Sequence, residues 1–333
     1  MSRTPPSPES SELLTQEPIP AQELIYGCMG LGGSWSAETY SSVDVDEAAA
    51  AVDAALKAGI TLFDHADIYR NGKAEAVFGE VLARTPGLRD RIRLQTKCGI
   101  RLNEQGLETH YDLSRDAILA RTNEGLARLR TDYVDVLMLH RPDPLMDPAE
   151  VASAVGQLIA EGKVRAVGVS NMSGPQIDVL QDRLETPVVA NQLEMSLLKR
   201  AWLESTVLVN HAEGTDYSFP HGTVEHCVRH GITLQAYGAL ARGLYTGAPS
   251  ARPTVAEEAT TALVAQLARE KDTTVESILL GWLMKHPAGI APVIGTANPE
   301  RIQACAGAAE VAAGMSRAEW YRLWVTARGS NIP

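Results

Sequence analysis

Eight short apolar runs, each four to seven residues long, alternate along this chain with stretches of helical periodicity. The runs are Tyr26 to Leu31, Thr61 to Asp64, Ile92 to Lys97, Val134 to His140, Ala166 to Ser170, Val188 to Gln192, Thr233 to Tyr237 and Ala291 to Ile294. Helical patterns between them include Val45 to Ala58, Ser114 to Leu129, Pro148 to Glu161 and Gly174 to Leu184. Such alternation predicts parallel strands joined by right-handed crossovers, and eight repeats of it predict an α/β fold, the (β/α)8 TIM barrel. Glycines at positions 59 and 162 mark helix ends, and Ser114 followed by Ala117 marks a helix start. Two further patterns, Val275 to Lys285 and Ser316 to Arg328, predict an extra helix and a C-terminal helix. The latter, carrying Trp320, Tyr321 and Trp324, is expected to close one barrel end.

In a parallel barrel the residues that end successive strands share one rim, and active sites are built there. Asp64 ends Ile60 to Asp64, Tyr69 follows it by five residues, Lys97 ends Ile92 to Lys97, and His140 ends Val134 to His140. Taken singly, each has an ordinary reading: an Asp forms a cap or turn, Lys and Tyr send polar ends to water, and His hydrogen-bonds in a core. Gathered on one rim they spell a proton-donor site. A free phenol has a pKa of about 10, so Tyr69 needs its phenolate stabilised to act at neutral pH, and the Lys97 ammonium is expected to lower that pKa. Asp64 would hold Lys97 in place, and a neutral His140 would orient a carbonyl.

A chain of 333 residues with 45% hydrophobic content can bury one large core. Its formal net charge of −11 excludes a nucleic-acid groove or an anionic membrane surface as the natural partner. Cys28, Cys98, Cys227 and Cys305 show no Cys-x-x-Cys spacing, which predicts neither a metal site nor a disulfide framework and suits packing thiols in a reducing cytoplasm. Residues 1–22, rich in Pro, Ser and Glu, are expected to form a flexible tail without a signal peptide, leaving 23–333 as one domain. No apolar stretch reaches the length of a membrane span. Lys199 to Pro220 is expected to be a long polar connection, mobile until a ligand orders it.

Six short words, in order, make the chain resemble the aldo-keto reductases from about Glu23 to the C-terminus. They are Phe63-Asp64-His65-Ala66-Asp67-Ile68-Tyr69, Thr96-Lys97, Leu139-His140, Gly168-Val169-Ser170-Asn171, Asn191-Gln192, and Gly295-Thr296 with Pro299-Glu300-Arg301. The resemblance implies an NADPH-dependent oxidoreductase acting on a small carbonyl substrate, with NADH as a possible substitute and no Rossmann domain. Gly30-Leu31-Gly32-Gly33 agrees with that absence, because position 35 is Trp where a dinucleotide fingerprint needs its third glycine. Gly32 and Gly33 read instead as letting backbone approach the cofactor, or as a plain turn.

By the same resemblance Tyr69 is the general acid, Lys97 and Asp64 its tuning pair, and His140 the carbonyl-orienting residue. Asp64 also counts with the cofactor site. Ser170, Asn171 and Gln192 match positions that hold the nicotinamide carboxamide, and Tyr237 the aromatic that stacks on the ring. The segment Gly238, Ala239, Leu240 to Gly243 would follow the pyrophosphate. Many relatives carry Ser at the place of Gly238, so backbone amides would replace a side-chain contact here. Gly295, Thr296 and Arg301 match the segment that holds the adenosine phosphate, where Arg301 would grip the 2′-phosphate of NADPH. Arg141 or Asp143 would line the substrate entrance, or simply belong to a solvated loop.

Two other functions stay open on sequence grounds. One is a nicotinamide-nucleotide-sensing regulatory protein with little turnover. The other is a Schiff base on Lys97, since lysines at barrel strand ends form imines with carbonyls. The oligomeric state is left open.

Overall fold

The computed structural model describes residues 23–35, 39–104, 106–248 and 252–333; the expected tail, 1–22, lies outside them. Ten strands form. They are β1 Ile25–Gly27, β2 Leu62–Asp64, β3 Arg93–Cys98, β4 Ile100–Glu104, β5 Leu107–Tyr111, β6 Val134–Leu139, β7 Val164–Ser170, β8 Val188–Glu194, β9 Thr233–Tyr237 and β10 Ala291–Ile294. Eight of them close a parallel barrel in the order β1-β10-β9-β8-β7-β6-β3-β2, while β4 and β5 make a separate antiparallel hairpin. The predicted barrel is therefore the observed one.

Helices α1 Ser42–Lys57, α2 Lys73–Arg84, α3 Arg115–Leu129, α4 Pro148–Ala160, α5 Gly174–Gln181 and α6 Ala201–Val207 surround its first six strands. They are followed by α7 Thr223–Arg229, α8 Val255–Glu270, α9 Val275–Met284, α10 Pro299–Gln303, α11 Ala308–Gly314 and α12 Arg317–Arg328. Local chemistry sets their limits. Ser114 Oγ accepts from Ala117 N at the start of α3, Ser41 and Asp44 complete a reciprocal cap on α1, and Gly59 and Gly162 take left-handed φ of 78° and 72° after α1 and α4.

Strand alternation divides the core into two shells. Tyr26, Phe63, Leu94, Leu137, Val167 and Ile294 face the helices, in one continuous cluster with Val52, Phe78 and Leu158. Their neighbours Ile25, Leu62, Val136, Met138, Ala166, Ala190, Ala291 and Val293 form a second, smaller cluster inside the barrel. Inside the same barrel stand the polar residues Asp64, Gln95, Lys97, Ser170, Gln192 and Gln235, all buried, Asp64 and Gln192 each two residues beyond a member of that cluster. The barrel is thus packed with hydrocarbon at one level and with hydrogen-bonding groups at the next, toward the C-terminal ends of the strands.

Three expectations need correction. The first strand stops at Gly27, and Cys28–Gly30 is a 3-10 turn. The Lys199 to Pro220 connection is not featureless: α6 occupies its first half with Trp202, Leu203 and Glu204 buried. The aromatic face of α12 packs in the outer helical layer, where Trp320 stacks on Trp282 of α9 at 5.3 Å and each indole N–H donates to the other's backbone carbonyl. Trp324 of α12 donates instead to Glu204 of α6.

Candidate active site

Asp64 ends β2 and Lys97 is the last residue but one of the neighbouring β3, and their side chains meet inside the rim. Lys97 Nζ lies 2.7 and 2.6 Å from the two Asp64 oxygens, 3.0 Å from the His65 carbonyl and 3.0 Å from the Tyr69 hydroxyl. The turn that delivers Tyr69 is pinned to β3 by His65 N to Gln95 O and Asp67 N to Lys97 O, and closed by Tyr69 N to Ala66 O. His140, whose N–H donates to Cys98 O, brings its ring to 6.1 Å from the Tyr69 ring, edge to face. The four residues read from the strand ends therefore form one constellation.

Its protonation follows from burial. Lys97 and Asp64 have side chains 0% and 2% exposed, so both ions exist here only because they are paired. Burial acts to lower the Lys97 pKa, yet Asp64 and Tyr69 outweigh it and the net shift is upward. A permanently charged ammonium is a poor imine nucleophile, which counts against the Schiff-base reading. The tyrosine departs from expectation. Burial raises its pKa, Lys97 opposes that, Asp64 adds to it, and the net direction is up. Tyr69 is thus firmly protonated before reaction, which suits a donor. Burial first, then Lys97 and Arg141, holds His140 well below the ordinary imidazole value and keeps it neutral.

The residues matched to the cofactor occupy four adjacent strand ends. Ser170 Oγ donates to Gln192 O, Asn171 Nδ2 donates to Ser170 Oγ, and the Tyr237 hydroxyl donates to Asn171 Oδ1, linking β7, β8 and β9. Beyond Tyr237, left-handed φ angles at Gly238, Ala241, Arg242 and Gly243 coil the chain tightly, while Ala239 is buried and Leu240 half-buried. At β10 Gly295 is exposed, the Thr296 carbonyl accepts from Tyr26, and the exposed Arg301 makes no ion pair among the described residues. Gly32 and Gly33 have a sufficient structural cause: both have positive φ, and a Cβ would meet Lys73 backbone at 2.9 Å and Asp44 Oδ1 at 2.6 Å respectively.

A cavity of about 590 Å³ is lined by Arg141, next in sequence to His140, by Asn171 and Tyr237, and by Lys199, Tyr217 and Phe219 of the long connection. Arg141 thus lines this cavity. Asp143 does not, because its carboxylate accepts from Leu113 N and Leu145 N and builds the loop.

Sequence reasoning missed the layer beneath the tetrad. Gln95 and Gln235 form a reciprocal amide pair, each Nε2 2.9 Å from the other's Oε1; Gln95 Nε2 also reaches Asp64 Oδ1 at 2.6 Å, and Gln192 Nε2 reaches Gln235 Oε1 at 2.9 Å. The signal was present: Gln95 and Gln235 stand two residues before Lys97 and Tyr237, on the same inward rows. Asp67, inside the turn, is also buried, with neither carboxylate oxygen hydrogen-bonded. Burial and Glu75 push its pKa up to about 7 against the pull of Arg128 and Arg101.

Comparison with known proteins supports the same picture. The family model described as Aldo/keto reductase family matches residues 23–320. The chain is 35% identical to the uncharacterized oxidoreductase YcsN of Bacillus subtilis and 34% identical to a 6-dehydroglucose reductase of Agrobacterium fabrum, each over 90% of this chain and 94% of the relative. A 6-dehydroglucose reductase of Novosphingobium aromaticivorans is 37% identical over 86% of this chain and 88% of its own. The barrel superposes on the thermostable aldo-keto reductase Tm1743, solved with epalrestat, at a TM-score of 0.70 and 24% identity, covering 91% and 94% of the two chains. It superposes on the Klebsiella pneumoniae aldo-keto reductase solved with NADPH at 0.65 and 24%, covering 90% and 89%. Those two likenesses speak to the fold; the family match and the sequence identities go further, and the chain belongs to the aldo/keto reductase family of oxidoreductases.

Proposed function

We propose that this oxidoreductase reduces aldehyde or ketone carbonyls of small molecules to alcohols with NADPH, with Tyr69 delivering the proton. The observation that carries the reading is the buried Lys97 ammonium, bonded at once to Asp64 and to the Tyr69 hydroxyl. When bound, the nicotinamide supplies the hydride. Tyr69 donates its proton to the carbonyl oxygen, and Lys97 stabilises the phenolate left behind. A neutral His140 donates an N–H to that oxygen and sets its direction.

The residues at the strand ends fit the cofactor. Gln192 Oε1 receives no hydrogen bond from the described residues and is free to meet a carboxamide beside Ser170 and Asn171. The segment from Gly238 to Gly243 coils tightly, with the Ala241 and Gly243 N–H groups donated to Gly238 O and Leu240 O, and its remaining backbone would run along the pyrophosphate. The unpaired guanidinium of Arg301 suits a 2′-phosphate, which favours NADPH over NADH. The names of two relatives add 6-dehydroglucose to the carbonyls worth testing. Four free, buried cysteines suit a reducing compartment, and we assign the protein to the cytoplasm.

The test is NADPH consumption across a carbonyl panel that includes 6-dehydroglucose, with wild type and Tyr69→Phe run side by side. Loss of the general acid should lower kcat by about 10² to 10⁴ while cofactor binding survives. Normal turnover by Tyr69→Phe would remove Tyr69 from the mechanism. Fast single-turnover oxidation with no steady-state reduction of any carbonyl would point to a nucleotide sensor instead.

A further inference from the structure

We infer that Gln95 and Gln235 are positioning residues: they convert the negative charge of Asp64 into a fixed orientation of the Gln192 amide, which then meets the nicotinamide with its carbonyl oxygen. The inference rests on the proposal that Gln192 holds the carboxamide.

Donors and acceptors decide the orientation. A carboxylate only accepts, so Asp64 Oδ1, 2.6 Å from the Gln95 side chain, obliges Gln95 to turn its NH₂ that way. Gln95 and Gln235 face each other as a cyclic amide pair at 2.9 Å in both directions. Once the Gln95 NH₂ is placed, Gln235 has to offer its oxygen to that NH₂ and its own NH₂ to the Gln95 oxygen. Gln192 lies 2.9 Å from the same Gln235 oxygen, so it too has to come in with its NH₂. Both N–H bonds of Gln95 are then used, as are both lone pairs of Gln235 Oε1. Gln192 is left with its oxygen turned outward, toward the rim.

Burial makes this polarity hard to reverse. Gln95 and Gln235 are fully buried and Gln192 is 3% exposed, so water cannot rescue a flipped amide. Turning Gln95 over would set an amide oxygen against the carboxylate, turning Gln235 over would set NH₂ against NH₂, and turning Gln192 over would set its oxygen against that of Gln235. Other inward positions of the same barrel are hydrocarbon, namely Val136, Met138, Ala166, Ala190 and Val293, so amides are not needed merely to fill a barrel of this width. Through the pair, Asp64 does more than hold Lys97, because its charge also decides which end of Gln192 the cofactor meets.

The test compares binding of NADP⁺ with binding of its 3-acetylpyridine analogue, whose acetyl group has no N–H to give Gln192. Titrations following protein fluorescence are made on wild type, Gln235→Met, Gln95→Met and Gln192→Leu, and the quantity read is the ratio of the two dissociation constants. A merely structural effect would weaken both ligands together and leave the ratio alone. Wild type should prefer NADP⁺; in Gln235→Met the freed Gln192 can turn and donate to the acetyl oxygen, so the preference should fall roughly 10-fold. Gln95→Met, which cuts the link to Asp64, should do the same and serves if Gln235→Met does not fold. A wild-type ratio in either folded variant, with the preference lost in Gln192→Leu, overturns this inference alone. A preference absent from wild type, or undiminished in Gln192→Leu, overturns the reading of Gln192 on which it rests.

Discussion

Tyr69 and Lys97 share a hydrogen bond, yet one keeps its proton because it is buried and the other because it is paired. Charge and burial act together on every titrating group in this rim, and Asp67 is where they conflict most. Its carboxyl, pushed up to about 7, is neutral in the fold at pH 5, whereas the unfolded chain has already ionised it. A raised carboxyl pKa contributes stability that is complete below about pH 4, the unfolded value, and lost as pH rises through 7. Asp67→Asn should therefore gain on wild type between pH 4 and 7, by on the order of 4 kcal/mol at most, and show no further gain above that. Thermal denaturation of both proteins across that range checks it; parallel curves would mean that Asp67 does not titrate there. At this scale the gathering of Asp64, Tyr69, Lys97 and His140, the four positions proposed as catalytic, was legible because each ends an apolar run or follows closely on one. Asp67 was in plain view in the same word, but its raised pKa depends on burial and on the charges of Glu75, Arg128 and Arg101, which no local pattern places beside it.

Among the elements, α6 lies in a segment that sequence periodicity presented as a polar connection. Seven residues long and set in polar surroundings, it has too few turns to show an apolar face, and an isolated helix of that length would not persist. It exists because Glu204 accepts from Trp324 Nε1 at 2.9 Å and Arg328 Nε at 3.1 Å, both on α12. Glu204→Ala would leave the Arg328 guanidinium without its buried partner and should cost about 3 kcal/mol in urea denaturation, against about 1 kcal/mol for Trp324→Phe. Equal small losses would show that the pair is not coupled to folding. Hydrogen exchange should also divide the Lys199 to Pro220 connection. We expect residues 201–207 to be protected without cofactor, while the more exposed residues 208–220 gain protection when NADPH binds; uniform exchange across both halves would contradict that division. The β4–β5 hairpin was likewise missed, since its strands pair only with each other and lie outside the barrel repeat.

Across the whole molecule, the proposed cofactor residues lie on β7, β8, β9 and β10 in turn, four consecutive neighbours in the closed barrel. An extended dinucleotide would then reach from Gln192 to Arg301 along one rim, each end held separately. Arg301→Ala should accordingly weaken NADPH roughly 10- to 100-fold and leave NADH nearly unchanged, because a charge-assisted bond is worth about 1.5 to 3 kcal/mol and only NADPH carries the second phosphate. Titrating both cofactors into both proteins decides it, and equal losses would place Arg301 outside the phosphate pocket. The sequence by itself determined the barrel and which residues gather at its rim: strand and helix periodicities are local, and a residue that ends an inward row of a parallel strand has one rim to occupy. Only the tertiary structure decided the protonation of Tyr69, the burial of Asp67, the fold of α6 and the amide chain below Asp64. Each of those depends on a dielectric surrounding or a hydrogen-bond partner contributed by segments far apart in the chain, as when Gln95 meets Gln235 across 140 positions.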